Sequence, residues 1–232
     1  MNYSFMSHPW IILFDIDGTM LTVDRGFNRA MLRELLDEHD IHYPQLEQDS
    51  FSGRTDHDIF TSFFVNHGYD KALYQTFKSA YLRELEQRLN YDLVYRHSYV
   101  DEAINFFSRR DFVRGLLTGN YPKAAVIKLK AGRIGYDFSI GAFGEHDKDR
   151  NNLPFIAIEQ VREQMGIDPD PSRFVIIGDT PRDIQCAKHA GMKCVSVTTG
   201  KYSREDLAEH NPELILDDLS EPEIWFSELI SS

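Results

Sequence analysis

Five apolar residues in a row, Trp10-Ile11-Ile12-Leu13-Phe14, run straight into two acids, Asp15 and Asp17. A strand with one wet face alternates apolar and polar residues. An unbroken apolar run of strand length needs cover on both faces, which is the condition of a parallel strand inside an α/β sheet. Related patterns recur downstream. Phe112 to Leu117 leads into Thr118-Gly119-Asn120, and Phe174-Val175-Ile176-Ile177 leads into Gly178-Asp179. Shorter strands are predicted at Phe138–Phe143, Cys194–Val197 and Leu214–Leu216. Helical stretches fall between them, at Val100–Ser108, Pro122–Ala131, Pro154–Met165 and Pro181–Ala190, with Pro near several starts and Gly just past several ends. Strands alternating with helices predict an α/β fold: a parallel sheet with helices on both faces.

From about Asp24 to Leu93 the texture differs. Phe27, Ala30, Met31 and Leu35 recur at helical spacing, and further helical stretches follow at Asp58–Val65 and Ala72–Leu89. The stretch from Gln48 to Asp56 reads as a loop. With no convincing strand in this block, it is expected to be an all-helical insert. Residues 1–22 and 95–232 then form the core and residues 23–94 the insert. Phe60-Thr61-Ser62-Phe63-Phe64 suits either the core of that insert or an interface.

Composition narrows the partners. The chain has 232 residues, 42% of them apolar, enough for one large or two small domains. With 25 Lys and Arg against 37 Asp and Glu, the formal net charge is −12. Sequence-independent binding of nucleic acid requires cations that neutralise phosphates, and an anionic membrane repels so acidic a surface, so neither partner is expected. Cys186 and Cys194 are too few for a disulfide framework and fit no zinc spacing. No apolar run nears the ~20 residues of a membrane span, and the N-terminal run is too short for a signal-peptide core. A cytoplasmic protein, monomer or homodimer, is expected.

Asp15, Thr118 and Asp179 each lie just past a predicted parallel strand, and open α/β sheets bind ligands at the carboxyl ends of their strands. Asp15 and Asp17 at i and i+2 are costly beside a buried strand unless a cation or a partner joins them. Gly18 then permits a sharp turn and a close approach to an anion. The bland alternative is a turn with two solvated acids. Asp179 can take one corner of a magnesium octahedron. Asp183 can assist it, or can serve only as the acid of a helix start, with Thr180 as N-cap and Pro181 at the first helical position. Thr118, Gly119 and Asn120 before a helix can cradle phosphate or simply cap that helix. Lys148 and Arg150 sit in an acidic loop, where a solvated charge run is the usual explanation.

Asp15-Ile16-Asp17-Gly18-Thr19, then Thr118, then a basic loop, then Gly178-Asp179-Thr180-Pro181-Arg182-Asp183 resemble the four ordered motifs of the haloacid dehalogenase-like hydrolases. Ser52-Gly53-Arg54-Thr55-Asp56 and Asp217-Asp218-Leu219 also resemble members of that group. The resemblance runs from about Trp10 to Leu219. It implies a Rossmann-like core with an α-helical cap inserted after the first motif. It further implies that Asp15 is a nucleophile toward phosphorus, that Asp17 is the acid and base, and that Thr118 binds the phosphoryl oxygens, with Gly18, Gly119 and Asn120 beside it. Asp15, the carbonyl of Asp17, and Asp179 would bind Mg²⁺, supported by Asp183.

Two departures stand out. The third motif usually carries Lys, often followed by Pro, and no Lys-Pro occurs here. Arg150 occupies the better matching position and is preferred to Lys148, with Lys128 a third choice. The Pro-Gly common before the helix at Val100 is replaced by Arg96-His97-Ser98-Tyr99. Asp17 distinguishes the chain from relatives that attack carbon, so the chain most resembles the phosphoglycolate phosphatase-like members, and a phosphate ester of a small metabolite (phosphoglycolate, a sugar phosphate or a nucleotide-like ester) is the expected substrate. A phosphonate-cleaving relative would need a cap Lys in the facing loop, where neither Lys71 nor Lys78 falls. A sugar-phosphate mutase and a non-catalytic binding protein are the alternatives. Within the cap, Arg54 is placed to grip a carboxylate or second phosphate of the leaving group, or else to pair within the cap. His57, Asp58 and His67 are weaker candidates. Phe27, beside the hinge, is placed to close over the substrate or to pack in the core.

Overall fold

A computed structural model describes residues 9–65, 68, 70–109 and 112–231. In chain order the elements begin with β1 (Trp10–Phe14), β2 (Leu21–Val23), α1 (Arg25–Glu38), α2 (Asp56–Phe63), α3 (Lys71–Arg88), β3 (Val94–Arg96) and α4 (Val100–Phe106). They continue with β4 (Phe112–Thr118), α5 (Pro122–Ala131), β5 (Ile140–Phe143), α6 (Leu153–Met165), β6 (Phe174–Gly178) and α7 (Pro181–His189). The chain closes with β7 (Lys193–Val197), α8 (Arg204–Ala208), β8 (Leu214–Leu216) and α9 (Pro222–Ser231).

Six strands form one sheet in the order β5-β4-β1-β6-β7-β8, and every pairing in it is parallel. β1 lies in the middle, with Phe14 opposite Leu116 on one side and Ile177 on the other. Its apolar run is explained by the alternation of side chains along a strand. Ile12 and Phe14 pack with α4, α5 and α9 on one face. Ile11 and Leu13 pack with α6 and α7 on the other. This is the parallel, doubly covered sheet of a Rossmann-like fold.

Among the described residues of 24–93 no strand forms, but the ends of the block are tied in a way the pattern did not signal. β2 and β3 pair antiparallel, with Leu21 opposite Arg96 and Val23 opposite Val94. Between them α1, α2 and α3 enclose an aromatic cluster. Phe60, Phe63 and Phe64 are each 1% exposed, so this run is core and not interface. Phe60 meets Phe77 and Tyr81 edge-on at 5.1 and 4.9 Å. Phe27 is half-buried against the same core, with the Arg88 guanidinium 5.8 Å from its ring. Cys186 and Cys194 are buried free thiols. Among the described residues no helix is long and apolar enough to cross a membrane.

Candidate active site

The three middle strands end side by side, and the polar residues that follow them meet there. The Asp15 N–H continues the ladder by donating to Ile177 O at 2.9 Å. The chain then turns tightly, with the Met20 and Leu21 N–H groups both donating to Ile16 O. Gly18 lies at φ +87°, and a Cβ there would stand 2.3 Å from Asp179 Oδ2. Only glycine fits both the backbone and the space.

Asp15, Asp179 and Asp183 are buried, and each offers a carboxylate oxygen within 4.8 Å of the others. Arg150 is the cation brought to them. Its Nη2 lies 2.5 Å from Asp183 Oδ1 and 3.2 Å from Asp15 Oδ1, and the side chain is 6% exposed. One guanidinium does not balance the cluster. Asp15 is raised to about 6: burial pushes it up most, Arg150 opposes this, and Asp183 and Asp17 add to the rise. Asp179 is raised well above the carboxylate range by burial, then by Asp183 and Asp15. Hard oxygen donors in this number, short of positive charge, fit a divalent cation such as Mg²⁺.

Asp183 begins α7 in a capping box. Its Oδ2 accepts from Thr180 N at 3.0 Å and Thr180 Oγ1 at 2.7 Å, while Oδ1 holds Arg150. The capping role and the place in the cluster therefore coexist. Lys148, the competing cation, is half-exposed. Its Nζ is 3.7 Å from Asp58 Oδ1, and its backbone carbonyl takes the Thr55 hydroxyl at 2.8 Å.

Across the turn from this cluster a second network holds Asp17. Lys128 on α5 is buried and places Nζ 2.7 Å from Asp17 Oδ2 and 2.5 Å from Asn120 Oδ1. Asn120 Nδ2 donates to Asp17 Oδ2 at 2.7 Å and to the buried Thr118 Oγ1 at 2.8 Å. Burial works against the Lys128 ammonium, but Asp17 and Asp56 hold its pKa above the ordinary lysine range. The sequence ranked Lys128 third as a partner of the acids because it lies well inside a helix. A signal was present: it shares the buried stripe of Ala124, Ala125, Ile127 and Leu129, where an unpaired lysine is costly.

Residues of the helical stretch line the same opening. The loop of that stretch runs against the core, with Asp56 N donating to Gly119 O at 2.7 Å and Arg150 Nη1 reaching Gly53 O at 3.4 Å. A Cβ on Gly119 would lie 2.1 Å from Arg54 O. The resulting cavity of about 690 Å³ is lined by Asp15, Asp17, Thr118, Lys128 and Arg150, and by Arg54, Asp56, Phe60 and Tyr81 of the insert. Arg54 lines it with its donors engaged, at 2.6 Å to Asp58 and 3.0 Å to Asp49. His57 sits against Tyr74, and neither it nor Phe27 is part of the lining. His67 lies outside the described residues. Asp56 was not singled out as a site residue from the sequence. It accepts the Tyr121 N–H at 2.7 Å, and it is raised to about 6 because burial outweighs the opposing pull of Lys128.

A family described as HAD-hydrolase-like matches residues 154–222, the part of the core that contains Asp179 and Asp183. Across 91% of this chain and 77% of its own length, a phosphoglycolate phosphatase of Pseudomonas syringae pv. tomato is 26% identical. Pyrophosphatase PpaX of Bacillus mycoides is 22% identical across 90% of this chain and 93% of its own. A hydrolase from Pseudomonas syringae has the same fold, with a TM-score of 0.69 at 16% identity, covering 94% of this chain and 98% of that one. The family match and the named relatives support a haloacid dehalogenase-like phosphatase.

Proposed function

We propose that the chain is a Mg²⁺-dependent phosphomonoesterase that works through an aspartyl-phosphate on Asp15, with residues 23–94 acting as the cap over its substrate. The observation that carries this reading is the pairing of two carboxylates with different surroundings. Asp15 is buried beside Asp179 and Arg150. Asp17 is 39% exposed at its side chain, opens on the cavity and is held from behind by Lys128.

In this reading an Asp15 oxygen attacks phosphorus, and the bond from phosphorus to the ester oxygen breaks. Asp17, in its protonated form, gives its proton to that oxygen, so the leaving group departs as an alcohol. Asp17 then takes a proton from the water that attacks the acyl phosphate, which releases phosphate and restores Asp15. The Thr118 hydroxyl and the Gly119 N–H face the transferred oxygens, while the Gly18 N–H is held by Leu21 O at 2.7 Å and the Asn120 N–H lies 3.4 Å from Thr118 Oγ1. Mg²⁺, held by Asp15, the Asp17 carbonyl and Asp179 with Asp183 in support, would neutralise charge between carboxylate and phosphate. Arg150 keeps Asp15 ionised and aimed by binding it and Asp183 together.

The substrate is a small phosphorylated metabolite that the cavity can enclose. Release of phosphate from p-nitrophenyl phosphate tests the reading, with Mg²⁺ against chelator and wild type against Asp15→Asn. Activity that requires Mg²⁺ and disappears in Asp15→Asn is expected. A wild type that is inert toward a panel of phosphomonoesters would favour the mutase or the non-catalytic alternative, and an active Asp15→Asn would remove the nucleophile assignment.

A further inference from the structure

The wall facing Asp17 contains a hydroxyl without a partner. Tyr81 on α3 is 5% exposed, and its ring is fixed edge-on against Phe60. Two other buried tyrosines, Tyr74 and Tyr121, bond to each other at 2.5 Å. The Tyr81 hydroxyl makes no hydrogen bond among the described residues and is not sealed from the cavity. It lines the cavity and lies in the field of the Asp56 and Asp17 carboxylates, which together with burial keep it protonated. Beside it, Asp56 uses Oδ2 on the Tyr121 N–H, and its second oxygen has no hydrogen bond among the described residues. The wall thus presents a donor and an acceptor together, next to the carboxylate that would protonate the leaving oxygen.

The cations on this wall are already committed. Lys128 is paired with Asp17 and Asn120, and Arg54 with Asp49 and Asp58. Arg29 is tied to the carbonyls of Leu46 and Asp49, and Lys201 to Ser50. Arg25 is exposed at the mouth. A carboxylate next to the ester oxygen would meet the Asp56 carboxylate, while each of the inner cations already shares its charge with a partner. A hydroxyl there would accept from Tyr81 and donate to Asp56.

We propose that Tyr81 and Asp56 form a leaving-group subsite that selects phosphate esters of uncharged, hydroxylated alcohols over esters whose alcohol carries a carboxylate beside the phosphate. The inference rests on the phosphomonoesterase reading and narrows its substrate class.

Three esters separate the outcomes: glycerol 3-phosphate, 2-phosphoglycolate and p-nitrophenyl phosphate, each at saturating Mg²⁺. Wild type is expected to favour glycerol 3-phosphate over 2-phosphoglycolate by about 10-fold or more in kcat/KM, the worth of a lost hydrogen bond plus a like-charge contact. Tyr81→Phe keeps the ring and its packing. It should lower the ratio of glycerol 3-phosphate to p-nitrophenyl phosphate turnover by about 5- to 10-fold. Asp56→Asn keeps an acceptor, removes the repulsion, and should shift selectivity toward 2-phosphoglycolate. Release from p-nitrophenyl phosphate with equal or better turnover of 2-phosphoglycolate overturns the subsite and leaves the phosphatase reading standing. A glycerol 3-phosphate to p-nitrophenyl phosphate ratio that Tyr81→Phe does not move overturns it too. No release from any of the three overturns the phosphatase reading, and the subsite falls with it.

Discussion

Arg150→Met removes the cation that, among the described residues, pairs with the buried Asp15 and Asp183, and replaces it with an apolar chain of similar length. In the parent, Nη2 stands 2.5 Å from Asp183 and 3.2 Å from Asp15, and all three side chains are 6% exposed or less. Deleting one partner of a buried ion pair strands the other in low dielectric, which costs about 3–5 kcal/mol. For a chain of this size each kcal/mol moves the melting midpoint by about 2–4 °C, so the variant should melt about 6–20 °C below the parent in chelator. The fall is measured by calorimetry and cross-checked by urea unfolding. Lys148→Met is the control. Its ion pair is long and half-exposed, so the change should stay within about 1 kcal/mol. Mg²⁺ carries a second consequence. A cation bound at Asp15 and Asp179 supplies part of the missing charge, so millimolar Mg²⁺ should raise the Arg150→Met midpoint by more than it raises the parent's. An Arg150→Met midpoint within 2 °C of the parent's in chelator would refute the argument, because it would mean that the acids need no cation to share their pocket.

Three other perturbations follow from the same geometry. The raised pKa of Asp56, about 6 against an ordinary 3.8, means that the folded state binds more protons than the unfolded chain between those values, so the protein loses stability as pH rises through that window. Asp56→Asn should therefore gain on the wild type by up to about 3 kcal/mol between pH 4 and pH 7, and a difference in urea midpoint that is flat with pH would contradict this. Lys128→Met frees Asp17 from its 2.7 Å contact. It should lower kcat for an alkyl phosphate by about 10- to 100-fold and for p-nitrophenyl phosphate by much less, because nitrophenolate leaves without a proton, and equal losses on the two esters would count against it. Gly18→Ala places a Cβ 2.3 Å from Asp179 Oδ2 at φ +87°, so the Mg²⁺ concentration for half-maximal activity should rise about 10-fold or more, and an unchanged Mg²⁺ titration would show that Asp179 is free to move aside.

The sheet was legible because its cause is written into consecutive residues. A central parallel strand must be apolar on both sides, and Trp10–Phe14 and Phe174–Ile177 are. The polar groups that end such strands converge because the strands do. β2 and β3 were not legible. Three residues each are too few to show a period, and they pair only because the two ends of the insert must return to one place. Arg54 could have been read further than it was. Asp58 stands four residues on, at the start of a helix, and Asp49 five residues before, so its donors had partners within the same loop. Lys128 shows the limit from the other side. Its burial can be suspected from the apolar stripe around it, but the atoms it reaches, Asp17 and Asn120, lie 111 and 8 residues away and depend on how α5 packs against the turn.

Asp183 had two competing readings from its spacing, as the acid of a helix start and as a member of the acid cluster, and the reason both hold is stereochemical. The capping box takes Oδ2 and fixes the side chain against the Thr180 N–H and hydroxyl. Gly178 makes room, since a Cβ there would lie 2.2 Å from Asp183 Cγ. With the carboxylate so oriented, Oδ1 is presented to Arg150, and the other contacts of that guanidinium run to Asp15, Leu117 O and the insert carbonyl at Gly53. The hydrogen bonds that start α7 thereby aim the cation at Asp15 and at the loop that covers it. Oδ2 already accepts two hydrogen bonds and Oδ1 one, so a metal contact through Oδ1 would share that oxygen with Arg150. Holding Arg150 against Asp15 is the support that its observed hydrogen bonds already provide.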